Sequence, residues 1–266
     1  MITEGILLNL LIGMGTLAGL WFVYLWKRNP SVVDLGWAIG LTFMGLTHNL
    51  NGDRFFVGKF LISLMVLFWG MRLGGYLFWT RIRLGKKDAR YESLQRNPKI
   101  PAPLYFLIHY FIQGCFQAAV GFVFIFTAQI TTLGSVWPKF GFLLWGFGYV
   151  GSIAADNQLH RFRKNPDNRG KVCQVGFWNY SRHPNYFFEI LIWFGFALIG
   201  LSARLGWLGL MSPITLLLTM SLITGPISER QSLKSKPDAY RQYQKTTSMI
   251  IPWFKKIKTT SAISDS

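Results

Sequence analysis

The chain has 266 residues, of which 51% are apolar, 17% aromatic and only 15% charged, where an ordinary globular protein carries roughly 25% charged residues. With 23 Phe, 11 Trp and a mean hydropathy of +0.29, it has too little polar surface to cover itself in water, which excludes intrinsic disorder and argues against a soluble enzyme. A net charge of +17 leaves nucleic acid, phosphate ligands or a membrane surface as partners until the charges are placed along the chain.

A helix that crosses hydrocarbon needs ~20 mostly apolar residues. Seven stretches qualify, at about 5–26, 33–51, 58–80, 104–132, 136–155, 186–201 and 205–225. Between them stand loop-forming residues: Asn29-Pro30, Asn51-Gly52-Asp53, Asn97-Pro98 with Pro101 and Pro103, Asn165-Pro166 and Gly225-Pro226. Glu4 precedes the first apolar run and Lys27 and Arg28 follow it, the reverse of the order in a cleavable signal. The expectation is an all-α, polytopic membrane protein. One seven-helix domain covers 1–258 with its cofactor half at 150–258, a cytosolic helix lies near the C-terminus, and 259–266 is a loose Ser/Thr-rich tail.

Threading the seven spans with the N-terminus outside puts 27–32, 81–103, 156–185 and 226–266 on the inner side. These segments hold 2, 7, 6 and 8 Lys or Arg, 23 of the 28 in the chain. That asymmetry follows the positive-inside rule and removes the main reason to invoke nucleic acid. Attraction to anionic lipid accounts for part of the excess. A second reading of the same charge is a cytoplasmic pocket for a polyanionic cofactor, with clustered bases and a helix N-terminus holding phosphates. Cys115 and Cys173 make no CxxC, and His48, His109, His160 and His183 are scattered, so neither a disulfide framework nor a metal is expected.

Ionisable residues inside a span are functional candidates by default. Asp34 lies at the inner end of span two and Arg72 lies deeper in span three, followed by Tyr76. An Asp34–Arg72 pair between the two spans is one explanation; a catalytic role is the other. In span six, a helix that starts at Pro184 puts Asn185, Glu189 and Trp193 at i, i+4 and i+8 on one face. An amide and a carboxylate suit a carboxamide or ribose edge, and an indole suits a planar ring. Arg182 and His183, just upstream, stand where a helix N-terminus offers free N–H groups to a phosphate. Tyr91, Arg81, Arg83 and Tyr180 line the pocket or edge the membrane.

The segment NYSRHPNYFFEILIW resembles the C-terminal signature of the steroid 5-alpha-reductase superfamily, closest to the bacterial membrane proteins grouped with those reductases. SVVDLGWAIG, WGMRLGGYLFWTRIRLGKKDARY and YQKTTSMIIPWF extend the resemblance over most of the chain. It implies a seven-helix bundle in a bacterial inner membrane, N-terminus out and C-terminus cytoplasmic, with an NADPH site facing the cytosol. It also implies reduction of an activated C=C bond in a lipophilic, steroid-, isoprenoid- or lipid-like substrate. Carried over residue by residue, Asp156, Arg163, Asn185, Glu189 and Trp193 match cofactor-contacting positions, Lys171 stands where the steroid enzymes have arginine, and Arg230 is a looser match. Tyr180, Arg182 and His183 complete the expected cofactor set. The Gln-Glu pair of the steroid enzymes' second span is missing, so Asp34, Arg72 and Tyr76 are the catalytic candidates. Arg182-His183-Pro184-x-Tyr186 also resembles the signature of membrane methyltransferases that use S-adenosylmethionine. A transporter and a noncatalytic scaffold are the remaining classes.

Overall fold

The computed structural model describes residues 2–50, 57–83 and 100–255. Tyr91 and the 259–266 tail, and with them part of the 81–103 inner segment, lie outside the described residues. Among the described residues the fold is all helical, without a strand; one isolated parallel bridge joins Ser181 and Ser248.

Each of the seven apolar stretches overlaps a helix among the described residues. α1 spans Ile2–Lys27, α2 Val32–Leu50 and α3 Val57–Leu77, the last continued by a π-helical turn, Phe78–Arg83. α4 runs over Ala102–Val120 and continues through Gly121–Val123 to Phe124–Thr127, α5 over Val136–Lys164 and α6 over Pro184–Gly200. α7 is Met211–Thr219, entered by the 3-10 turn Gly206–Leu210 and left by the π-helical turn Met220–Thr224. The polar helices α8, Gly225–Ser235, and α9, Pro237–Thr246, follow. Four helical runs are long and apolar enough to cross a membrane: Ile2–Lys27, Val57–Thr80, Ala102–Thr127 and Gly206–Ser235. Pro184–Gly200 is a shorter apolar helix.

Local chemistry sets the helix ends. α1 stops where Arg28 turns left-handed (φ 52) and its N–H returns to the Tyr24 carbonyl at 2.8 Å. The Asn29 side chain then accepts the Ser31 N–H, and the Tyr110 hydroxyl donates to the Pro30 carbonyl at 2.9 Å, which fixes the short link into α2. α5 ends in Arg161, Arg163 and Lys164, cations that suit the negative end of a helix, and Asn165 caps the next turn through the Asp167 N–H. α6 opens on Pro184, whose missing N–H costs nothing in a first turn.

The chain divides into two compact units, Met1–Trp145 with Trp193–Leu216, and Gly146–Ile192 with Leu217–Ser266. In the first, α1 packs against α2 and α4, and α2 against α3. Small residues allow these close approaches, since lipid offers no hydrophobic drive between helices. A Cβ on Gly70 would fall 1.9 Å from Thr42 Oγ1 and 3.1 Å from its Cβ. Gly70→Leu is therefore expected to force α2 and α3 apart and to lower stability by about 1–3 kcal/mol or more, read as an earlier thermal transition in detergent.

The second unit is held by short-range packing and one bent loop. Gly151 lets the Phe188 ring sit against α5, and Phe188 meets Phe147 and Phe177 at centroid distances of 5.7 and 4.9 Å. Gly176 takes φ +56, a conformation few other residues tolerate, and its turn presents the Phe177 N–H to Gln158 Oε1 at 2.9 Å. The Trp178 indole N–H closes the loop onto the Ala155 carbonyl.

Candidate functional site

The second unit contains a buried polar centre. Glu229 of α8 is 7% exposed, and three side chains converge on it. Arg182 donates Nε to Oε1 at 2.6 Å and Nη2 to Oε2 at 3.3 Å, Gln244 of α9 donates Nε2 to Oε2 at 2.6 Å, and His183 Nε2 lies 3.2 Å from Oε1. Nη1 of Arg182 donates to the carbonyls of Gln244 and Thr247 at 3.1 and 2.6 Å. Four hydrogen bonds therefore engage the Arg182 guanidinium inside the unit, out of the roughly five such a group can donate.

This centre fixes the chain on both sides of it. The Arg182 and His183 N–H groups donate to the carbonyls of Ser248 and Met249 at 2.9 and 3.0 Å, and the Trp253 N–H donates to the Tyr180 carbonyl at 3.0 Å. Ser181 Oγ reaches the Ile250 carbonyl at 2.7 Å. The Tyr243 hydroxyl lies between the carbonyls of Trp178 and Ser181; burial first, then the neighbouring Tyr240, pushes that phenol far above its usual pKa, so it stays a donor. The result is a C-terminal strap, 247–255, laid across the entry to α6. Under it the His183 ring stacks on Tyr186 at 4.9 Å.

The expected cofactor residues are distributed unevenly. Asn185 and Glu189 stand one turn apart on α6, both half-buried. Asn185 Oδ1 is enclosed and accepts no hydrogen bond among the described residues. Trp193 belongs to the other unit, 1% exposed, where it meets Trp69 edge-on at 5.4 Å, Phe124 at 5.6 Å and Phe196 at 5.8 Å. Those rings enclose the indole in interhelical packing, so it anchors that part of α6. Likewise Arg182 and His183, expected at a phosphate, are bound to Glu229. Asp156 is half-buried on α5, and Arg163, Lys171, Tyr180 and Arg230 are exposed. Lys236 is held below its usual pKa, by burial first and by the Arg163 charge second, and burial pushes the neighbouring Cys173 thiol up.

Asp34, Arg72 and Tyr76 lie in the first unit, on the adjoining helices α2 and α3; Asp34 and Arg72 are half-buried and Tyr76 is 36% exposed. Sequence reasoning missed a polar stripe in that unit. His109, Gln113 and Gln117 recur at four-residue spacing on α4. Trp37 Nε1 donates to Gln113 Oε1 at 2.5 Å, the Gln113 amide meets His109 Nε2 at 2.6 Å, and Gln117 Nε2 donates to the carbonyls of Gly36 and Trp37. The spacing itself was the available signal. Among the described residues no group of three or more His, Cys, Asp or Glu is placed to hold a metal ion.

Comparison with known proteins gives these residues a setting. The profile of a family described as a protein of unknown function, DUF1295, matches residues 20–247. An uncharacterized protein of Schizosaccharomyces pombe is 27% identical over 93% of this chain and 78% of its own. The 3-oxo-5-alpha-steroid 4-dehydrogenase 1 of Rattus norvegicus is 32% identical over 42% of this chain and 40% of its own length. The enzyme of that name from Bos taurus is 26% identical over 65% of this chain and 64% of its own. The chain thus spans less than two thirds of the length of the steroid dehydrogenases it matches. No solved structure matches. The length of the family match and these relatives together decide the classification: the chain belongs to the DUF1295 family, within the steroid 5-alpha-reductase-like superfamily.

Proposed function

We propose that this chain is a multi-pass membrane reductase that binds NADPH through its second unit and reduces an activated C=C bond in a lipophilic substrate. The observation that carries the cofactor is Asn185: a buried amide oxygen without a donor among the described residues, one turn from the Glu189 carboxylate, on the helix whose entry the Glu229 centre fixes. An orphaned acceptor in that position suits a carboxamide N–H, and a carboxylate one turn on suits a ribose hydroxyl or the same amide. Arg163 and Lys236, with Lys171 and Arg230, supply cations for the phosphates; abundant base favours the phosphorylated dinucleotide. Asp156 supports the same face from α5. Tyr180 edges it. Arg182 and His183 act by setting the start of α6, and Trp193 by anchoring its far half.

When bound, NADPH supplies the hydride for the electrophilic carbon. The protein holds the reacting groups in place, excludes water and handles the proton. In this reading Asp34 donates a proton to the other carbon or to the carbonyl oxygen, and Arg72 or Tyr76 steadies the negative charge that develops on that oxygen. A lipophilic substrate enters from the bilayer. All seven apolar helices cross the membrane, with the N-terminus outside and the basic segments and strap on the cytoplasmic side, as the Lys and Arg asymmetry directs.

The test is thermal stabilisation of the detergent-solubilised protein by added nucleotide. NADPH is expected to raise the melting temperature, and S-adenosylmethionine to leave it unchanged. Stabilisation by S-adenosylmethionine alone would move the chain to the methyltransferases that its Arg-His-Pro-x-Tyr segment also resembles.

A further inference from the structure

The C-terminal strap carries an apolar surface that its own unit does not bury. Ile251, Trp253 and Phe254 are 64%, 69% and 79% exposed, and Tyr180 stands edge-on to Phe254 at 6.2 Å. With Pro252 these rings border a hollow of about 370 Å³. The surface is not a loose end. The backbone beneath it is pinned by the Trp253 N–H to the Tyr180 carbonyl, and by Ser181 Oγ to the Ile250 carbonyl. At its edge Lys255 reaches Gln174 Oε1 at 2.7 Å, and the sequence continues with Lys256 and Lys258.

We propose that this strap is a foot set into the headgroup layer of an anionic leaflet. Ile251, Trp253 and Phe254 point toward the acyl chains and Lys255 meets the phosphates. A contiguous exposed apolar patch marks an interaction surface, and Trp and Tyr, each with an apolar body and a polar tip, favour the membrane–water boundary over either phase. The depth is set by the backbone. Non-helical chain enters lipid only where its polar groups are satisfied. Here the carbonyls of Ser248, Met249, Ile250 and Ile251 all accept hydrogen bonds, which permits a shallow position but no crossing. A lysine such as Lys255 at the edge of the patch fits anionic lipid. The inference rests on the membrane reading and is independent of the reductase reading; the foot would hold the second unit against the bilayer surface whatever that unit binds.

The experiment uses full-length protein in lipid nanodiscs of phosphatidylcholine with phosphatidylglycerol. The emission of Trp253 is taken as the difference between wild type and W253F, because the chain has 11 Trp. Brominated lipid is expected to reduce that difference signal by about twofold or more, with little quenching by acrylamide from the aqueous phase. Quenching by acrylamide with none by bromine would overturn the proposal, and suppression of that acrylamide quenching by NADPH would turn the surface into a ring-stacking site instead. Should W253F fail to incorporate, a spin label at F254C in a C115S background gives the same reading. Relaxation by oxygen exceeding that by a polar nickel complex supports the foot, and the reverse order contradicts it.

Discussion

Replacing Glu229 with alanine is expected to be the most destabilising single change in the second unit. The carboxylate pairs with the Arg182 guanidinium, and it also receives Gln244 and His183. Its removal leaves a buried cation with two backbone carbonyls and no counter-charge, a change that costs about 3–5 kcal/mol in comparable settings. The strap should loosen before the helices do, because its hold on 180–183 depends on the loop that Arg182 fixes. Limited proteolysis of E229A in detergent is expected to cut within 247–255 under conditions that leave the wild type intact. Glu229→Gln keeps acceptor geometry and should fall in between. An apolar pair, R182M with E229L, should recover part of the stability, since it removes both charges together. Equal stability of E229A and wild type would mean that the ion pair does not carry the strap.

The second large effect is on the cofactor. Asn185→Leu fills the place of the orphaned acceptor with a methyl group, and Glu189→Ala removes the carboxylate one turn on. Each is expected to weaken NADPH binding by about tenfold or more, which corresponds to ~1.4 kcal/mol, in the range of one hydrogen bond to a buried partner. Trp193→Phe should do the opposite kind of damage. It thins the cluster of Trp69, Phe124 and Phe196 and lowers the melting temperature, with little change in affinity for nucleotide. Titrations of the three variants, set beside their melting curves, separate the grip from the scaffold.

That contrast also shows what the sequence contained. Helix positions were legible because their causes are local: apolar runs, Pro30, Pro101, Pro166 and Pro184 at the joints, and a start of α6 read directly from its proline. The helical register of Asn185 and Glu189 was legible for the same reason, two polar residues four apart in an apolar segment. The fate of Trp193 was not. Its neighbours Trp69 and Phe124 lie far away in the chain, and a shared face on α6 says nothing about which unit each turn joins. The partner of Arg182 was equally hidden. A base before a helix N-terminus reads as a phosphate ligand until Glu229, 47 residues on, is seen to take it. Glu229 stands in a segment whose sequence shows no buried partner for it. The His109–Gln113–Gln117 stripe had the periodicity of a buried polar face, but its partners, Trp37 and the Gly36 carbonyl, are set by tertiary packing.

A native mass spectrum of gently solubilised protein tests most directly whether the second unit holds a nicotinamide nucleotide. Wild type incubated with NADPH is predicted to carry one bound nucleotide, and Glu189→Ala, folded by its melting curve, to retain clearly less at the same concentration. Equal retention by both proteins, or a wild type that keeps S-adenosylmethionine and sheds NADPH, would contradict it.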